Sequence, residues 1–196
     1  MFLAELAKIV LQILCNGGAT MPNAIEMLLE DHRKVKKLFE EFERAQEDHV
    51  KEQIVENTLH ELEVHAALEE EIFYPAAEEQ IGEKDSIDEA REEHHVVKLL
   101  IGELKKMSAD DDRYDAKYTV LAESVKHHIE EEESELFPKL QGKLNAEEVG
   151  AEMETRKEQL ERQPHKRSAK AKRRTRTRKP RRSSTKRRKR ASGGQR

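Results

Sequence analysis

Tryptophan is absent from this chain, cysteine occurs once, and aromatic residues make up 4% of it. The lone Cys15 excludes an intrachain disulfide framework and suits a reducing compartment. Nowhere does the sequence approach the roughly 20 consecutive apolar residues that a membrane-spanning helix needs, so no membrane span is expected. Residues 1–20 are apolar, yet they lack the positive start of a signal peptide, and Asn16-Gly17-Gly18 makes a poor cleavage site. Leu14 stands before Cys15, where a lipoprotein signal wants a small residue. Two readings of this extension stay open: a short amphipathic helix, or a true translation start at Met21.

Acid is missing too, but only from one end. From His165 to Arg196 there is no Asp or Glu, and 17 residues are Lys or Arg. The chain holds 37 basic and 41 acidic residues in all, so residues 1–164 carry 20 and 41, a net of −21 against +17. Such asymmetry predicts a folded acidic body and a basic tail that seeks polyanions. Most of the acidic residues fall off the apolar stripes and read as a solvated surface. Beyond Pro164 the chain is Arg, Lys, Ser, Thr, Ala and Gly with little else, too polar to offset its ordering entropy, and is expected to be disordered.

What remains favours helix: Glu, Lys, Leu and Ala dominate. Apolar periodicity predicts helices over 23–44, 50–80, 86–107 and 113–141. Asn23 is the expected N-cap of the first, Pro75 should kink or end the second, and Gly142 should stop the fourth. The connections are short, so neighbours should run antiparallel. The predicted fold is all-α, an up-down-up-down antiparallel four-helix bundle over residues 21–142. It lies between an extension (1–20) and a charged helix or linker (143–163), whose charge leaves little to bury, with the basic tail following from residue 164.

One pattern occurs twice. His65 and Glu69 are followed by Phe73-Tyr74-Pro75; His128 and Glu132 are followed by Leu136-Phe137-Pro138. Each His and Glu are four residues apart, on one face of a helix, and the Pro comes ten after the His. The first and third helices repeat as well: His32 and His94 are each followed by apolar residues at +3, +6 and +7. The halves are therefore pseudo-equivalent hairpins, each offering one His from its first helix and a His-Glu pair from its second.

His32, His65, Glu69, His94, His128 and Glu132 are the candidate metal ligands. A single His on an apolar face is ordinarily a satisfied core residue. Four at matching offsets beside two Glu would be costly to bury unless paired or bound to metal. Five other histidines do not fit. His95 and His127 break the face match, His60 points about 140° away from His65 around the helix, His49 is placed in a loop and His165 in the tail. Imidazole with carboxylate suits iron, zinc, manganese or copper, and the absence of thiolates argues against structural zinc. Ferritin-like di-iron bundles use Glu-x-x-His, whereas this chain has His first and is richer in His.

The motifs LLEDHRKVKKLFEEFE, HELEVHAALEEEIFYP, EEHHVVKLLIGEL and HHIEEEESELFP together resemble the hemerythrin-like, HHE cation-binding family, over residues 24–142. The resemblance implies two non-haem iron ions, joined by an oxo or hydroxo bridge and held by those six ligands, with Glu69 and Glu132 as bridging carboxylates. It also implies O2, NO or peroxide as the small ligand. The chain departs from the oxygen carriers at Lys98, where they have a further His, and at Glu132, where they use an Asp one residue later. Fewer imidazoles leave more coordination positions open, which favours reactivity over reversible O2 carriage. Glu70, Glu133 or water is the expected group to fill one.

In the tail, Lys172, Arg173, Arg174, Arg181, Arg182, Arg187, Arg188, Lys189 and Arg190 are the candidate nucleic-acid contacts. Such residues release counterions from phosphates without reading sequence. No aromatic is available to stack on bases. Contact with the acidic bundle, with another anionic surface, or use as a nuclear localisation signal stays open. Three functions follow as expectations: di-iron binding for sensing, storage or detoxification, a peroxide-decomposing enzyme, and a nucleic-acid-associated metalloprotein. The expected location is the cytoplasm, with nucleoid association as the variant that the tail allows.

Overall fold

The computed structural model describes residues 22–82 and 84–162. Every regular element among them is helical. α1 (Ala24–Arg44) is followed by α2 (Asp48–Leu68), which runs through a π-helical turn (Glu69–Phe73) into α3 (Tyr74–Ile81). α4 (Lys84–Leu104) is followed by α5 (Tyr114–Glu131), which runs through a second π-helical turn (Glu132–Leu136) into α6 (Phe137–Leu140). α7 (Ala146–Glu161) closes the described chain. The all-α helical bundle that the sequence predicts is what the chain adopts. The extension over 1–20 and the whole basic tail lie outside the described residues.

Asn23 caps α1 as its position implies: Oδ1 accepts from the amides of Ile25 and Glu26, at 3.1 and 3.2 Å. Leu28, His32, Val35, Phe39 and Phe42, at helical spacing, turn the buried face of α1 inward. His49, expected in a loop, lies in the first turn of α2 and is exposed. The α3 segment stops at Gly82, whose φ of 68° a side chain would resist, and Gly142 follows α6 with φ 73°.

Pro75 neither breaks nor sharply ends its helix. A proline cannot donate an amide and its ring crowds the carbonyl four residues back. Here the chain widens by one residue just ahead of it, so the Tyr74 amide bonds Glu69 O, five residues back. Pro138 has the same effect, with the Phe137 amide on Glu132 O. Each wide turn begins at a Glu of the repeated His-Glu pair, and such turns recur at functional sites.

The core comes in two apolar clusters. One gathers Leu28, Leu68, Phe73, Ile87, Leu140 and Met153; the other gathers Val35, Phe39, Leu59, Tyr118, Leu121 and Ile129. In α1 and α4 the candidate His falls where membership changes from one cluster to the other, and in the other two arms the change comes between Leu62 and Val64, just before His65, and between Ile129 and Leu136, around Glu132. Leu28 precedes His32 and Val35 follows it; Ala90 precedes His94 and Val97 follows it. A polar layer therefore crosses the middle of the bundle.

The fifth helix buries more than its charge implies. Val149, Gly150 and Met153 of α7 are buried against the first hairpin, Met153 completely. Val149 and Met153, one turn apart, dock it together with Gly150 and the partly buried Ala146 and Leu160, while most of its charged residues face water.

Candidate metal centre

The six predicted ligands converge in that polar layer, and all are buried: Glu69 is fully inaccessible and the most exposed, His65, only 6% accessible. Donor atoms of His32, His65, Glu69 and Glu132 lie within 4.8 Å of one another, and so do those of Glu69, His94 and His128. Glu69 belongs to both groups.

The two carboxylates tie the hairpins together. Glu69 Oε2 stands 3.1 Å from His65 Nε2 in its own hairpin and 3.3 Å from His94 Nε2 in the other. Glu132 Oε2 stands 3.6 Å from His128 Nε2 and, across the bundle, 3.3 Å from His32 Nε2. The imidazole rings pair within each hairpin, His32 with His65 at 4.9 Å between centroids and His94 with His128 at 4.6 Å.

Behind the inner ring stands an outer ring of acids. Glu133 accepts from His32 Nδ1 at 2.9 Å, Glu70 from His94 Nδ1 at 2.9 Å, and Glu93 from His128 Nδ1 at 2.8 Å. Asp31 faces His65 Nδ1 at the longer distance of 3.9 Å. A carboxylate only accepts, so Nδ1 of His32, His94 and His128 holds the proton and Nε2 turns its lone pair inward. This corrects the expectation for Glu70 and Glu133. They do not reach into the centre but orient its imidazoles from outside.

Several buried atoms of the centre are left without a partner. His32 Nε2, both nitrogens of His65, both oxygens of Glu69 and Glu132 Oε2 are buried without a hydrogen bond. His94 and His128 bring their Nε2 atoms to 3.0 Å of each other. Two lone pairs that close require a proton or a cation between them. Such orphaned nitrogen and oxygen atoms, with no thiolate among them, fit metal cations of the iron, manganese or zinc type.

Without metal, protons fill that role. Burial opposes the charged form of His65, but Glu69, Asp31 and Glu132 outweigh it and lift the imidazole to about 10. His128 moves up as well, burial being overcome by Glu93, Glu132 and Glu69. Burial pushes Glu69 up, yet His65 and His94 hold it well below the usual carboxylate range.

Tyr74 completes the centre and was not singled out by the sequence. Its fully buried hydroxyl donates to Glu132 Oε1 at 2.9 Å and lies 3.4 Å from His94 Nε2. Burial and the two inner carboxylates push the phenol well above its ordinary value, so it keeps its proton. Its counterpart in the repeat is Phe137, stacked on His32 at 5.8 Å. Phe73-Tyr74-Pro75 against Leu136-Phe137-Pro138 was the available clue.

Beside the imidazoles lies a cavity of about 20 Å³. Its apolar walls are again paired between hairpins: Val35 with Val97, Leu62 with Val125, Ala66 with Ile129. The rejected histidines stay apart, His127 being 65% exposed between Glu131 and Glu93 and His95 exposed on α4. The nine basic tail residues lie outside the described residues. Among the described residues no helix is long and apolar enough to cross a membrane.

Comparison with known proteins agrees with this geometry. A Mycobacterium kansasii hemerythrin HHE cation-binding domain-containing protein, known from its crystal structure, is 25% identical, with a TM-score of 0.62 over 71% of this chain and 88% of its own. An uncharacterised hemerythrin-like protein of Schizosaccharomyces pombe is 28% identical over 65% of this chain and 64% of its own length. A DNA nickase of Nostoc sp. is also 28% identical, over 65% of this chain. The chain thus spans just under two thirds of the yeast relative and about a third of the nickase, 36%. The family model of the hemerythrin HHE cation-binding domain matches residues 23–140, and the chain belongs to that family.

Proposed function

We propose that the bundle holds two iron ions and uses them to react with a small ligand, O2, NO or peroxide, in sensing, storage or detoxification. One observation carries the reading. Each buried carboxylate reaches histidines of both hairpins, next to a cavity of about 20 Å³. That is room for one water-sized species and no organic substrate.

His32, His65, Glu69 and Glu132 would hold one ion, and His94 and His128 the other, with both carboxylates shared. Bound iron would supply the electrons and the open coordination positions. The protein's part is arrangement. Glu133, Glu70 and Glu93 keep the proton on Nδ1, so that Nε2 is free to bind. Val35, Leu62, Val97 and Val125 keep the cavity apolar and strengthen every charge interaction beside it. Tyr74 holds a proton against Glu132 Oε1, within reach of the centre.

A peroxide-decomposing enzyme is the second reading, favoured by Lys98. In place of a further imidazole, its ammonium is held on Glu70 at 2.6 Å, outside the inner ring. Lys36 does the same in the other hairpin, on Glu133 at 3.0 Å. The centre is then left with one imidazole fewer than a carrier would give it.

Metal analysis tests the reading. The purified chain should carry about two irons, with an iron-to-ligand absorption band in the visible. Glu69→Ala, which removes one of the two carboxylates common to both halves, should lose most of that iron together with any turnover of added peroxide. A chain that holds a single zinc and no iron would end the proposal.

A further inference from the structure

Among the outer acids Asp31 stands apart. Glu133, Glu70 and Glu93 are 32%, 29% and 23% accessible, while Asp31 is only 7% accessible. A carboxylate buried that deeply needs a cation of its own. It has one from outside the four long arms: Lys157 Nζ, on α7, meets Asp31 Oδ1 at 2.6 Å. The other oxygen, Oδ2, is the one turned toward His65 Nδ1, at 3.9 Å. Lys157 thus holds one oxygen and presents the other to the histidine. Glu93, the counterpart of Asp31 in the second hairpin, accepts from His128 Nδ1 at 2.8 Å and has an exposed His127, at 3.9 Å, where Asp31 has a lysine.

We propose that Lys157 is a positioning residue of the metal centre: from the fifth helix it fixes Asp31, and through Asp31 the orientation of His65. Docking of α7 is thereby coupled to occupancy of the metal position that His65 serves. The inference rests on the two-ion reading above. Its physical basis is direct. With Lys157 removed, Asp31 loses the contact that fixes Oδ1 and its side chain is free to rotate, so Oδ2 is no longer held toward His65 and the His65 ring is free to turn. Loss of such an outer partner weakens metal affinity about 10–100-fold.

A neighbour on the same helix supplies the control. Arg156 forks onto Glu71, Nε to Oε2 at 2.6 Å and Nη2 to Oε1 at 3.0 Å. It forms a surface pair, the two side chains 30% and 47% accessible, whose loss should leave α7 docked, and its bonds go to neither Asp31 nor a candidate ligand.

The experiment titrates Co(II) into four metal-free full-length proteins against a competing chelator: wild type, Lys157→Met, Lys157→Arg and Arg156→Met. Helical circular dichroism is recorded on each. Wild type should take up two ions. Lys157→Met should bind one of the two about 10–100-fold more weakly, Lys157→Arg should restore it to within a few-fold, and Arg156→Met should match wild type. Should Lys157→Met fail to fold, Asp31→Asn/Lys157→Met removes the uncompensated charge and should fold with the same metal deficit. Two ions bound by Lys157→Met with wild-type affinities would overturn the inference, as would an equal deficit in Arg156→Met. A wild-type chain that binds fewer than two ions refutes the two-ion reading, and the inference with it.

Discussion

Protons and metal ions compete for the same atoms in this centre, and His65 shows the sign of the competition. Its folded value is lifted to about 10 from an ordinary 6.5. The stability this gives the metal-free protein is complete below 6.5 and is lost as pH rises through about 10. Glu69 is shifted the other way, so its contribution is present above its ordinary 4.5 and is lost as the solution turns acid. Chelator-treated protein should therefore melt at falling temperature as pH is raised from 7 to 10. Iron-loaded protein should fall less, because the ions already occupy those nitrogens. A metal-free melting point that holds steady or climbs over that range contradicts the assignment. At this scale the six inner residues were legible because a four-residue spacing occurs twice and their offsets match. The outer acids sat in plain view beside them, Asp31 before His32, Glu93 before His94, Glu70 after Glu69 and Glu133 after Glu132. Spacing along one helix could not say that Glu70 and Glu133 reach histidines of the opposite hairpin. That depends on how the hairpins pack.

Among the helices, α7 is where sequence reasoning fell short. Periodicity placed the four long arms within a few residues of where they run, since each carries a continuous apolar stripe. The fifth helix buries Val149, Gly150 and Met153 in the core, one of them without a side chain, and adds only the partly buried Ala146 and Leu160. Its docking depends on close approach rather than on apolar area. A Cβ added at Gly150 would stand 1.9 Å from the carbonyl oxygen of Pro22 and 2.8 Å from the amide nitrogen of Ala24. Both are backbone atoms at the entry to α1, so α7 would have to move away. Gly to Ala inside a helix ordinarily stabilises by about 1 kcal/mol. Here Gly150→Ala should destabilise by about 1–3 kcal/mol, the usual cost of overpacking. Chemical denaturation reads the sign directly. Since Lys157 lies on the same helix, the variant should also bind metal more weakly. The π-helical turns were out of reach for another reason. Pro75 announces a disturbance, but whether the chain kinks, stops or widens is decided by what packs beyond it. Here Tyr74 and Phe73 are held fully buried in the core.

On the scale of the whole molecule, charge is divided more sharply than structure. The bundle-bearing residues 1–164 carry a net −21 and residues 165–196 a net +17. An acidic bundle alone repels nucleic acid, so any affinity for it must come from the tail, and that affinity must be electrostatic. Each phosphate neutralised contributes about −0.9 to the slope of log K against log salt. If six of the 17 basic residues engage duplex DNA at once, the slope is about −5 and affinity falls roughly a thousandfold between 50 and 200 mM salt. No aromatic lies in the tail to stack on bases, so random-sequence and fixed-sequence duplexes should bind alike. The test compares full-length protein with a chain ending at Pro164, both metal-loaded, by titration with fluorescent duplex DNA over a salt series. The full chain should bind with the steep slope and the shortened chain should not bind at all, while both keep the same metal content. Equal binding by the two chains would place the contact on the bundle. A shallow slope would mean that the contact is not made through phosphates, and the basic residues from Lys172 to Arg190 would lose their assigned role.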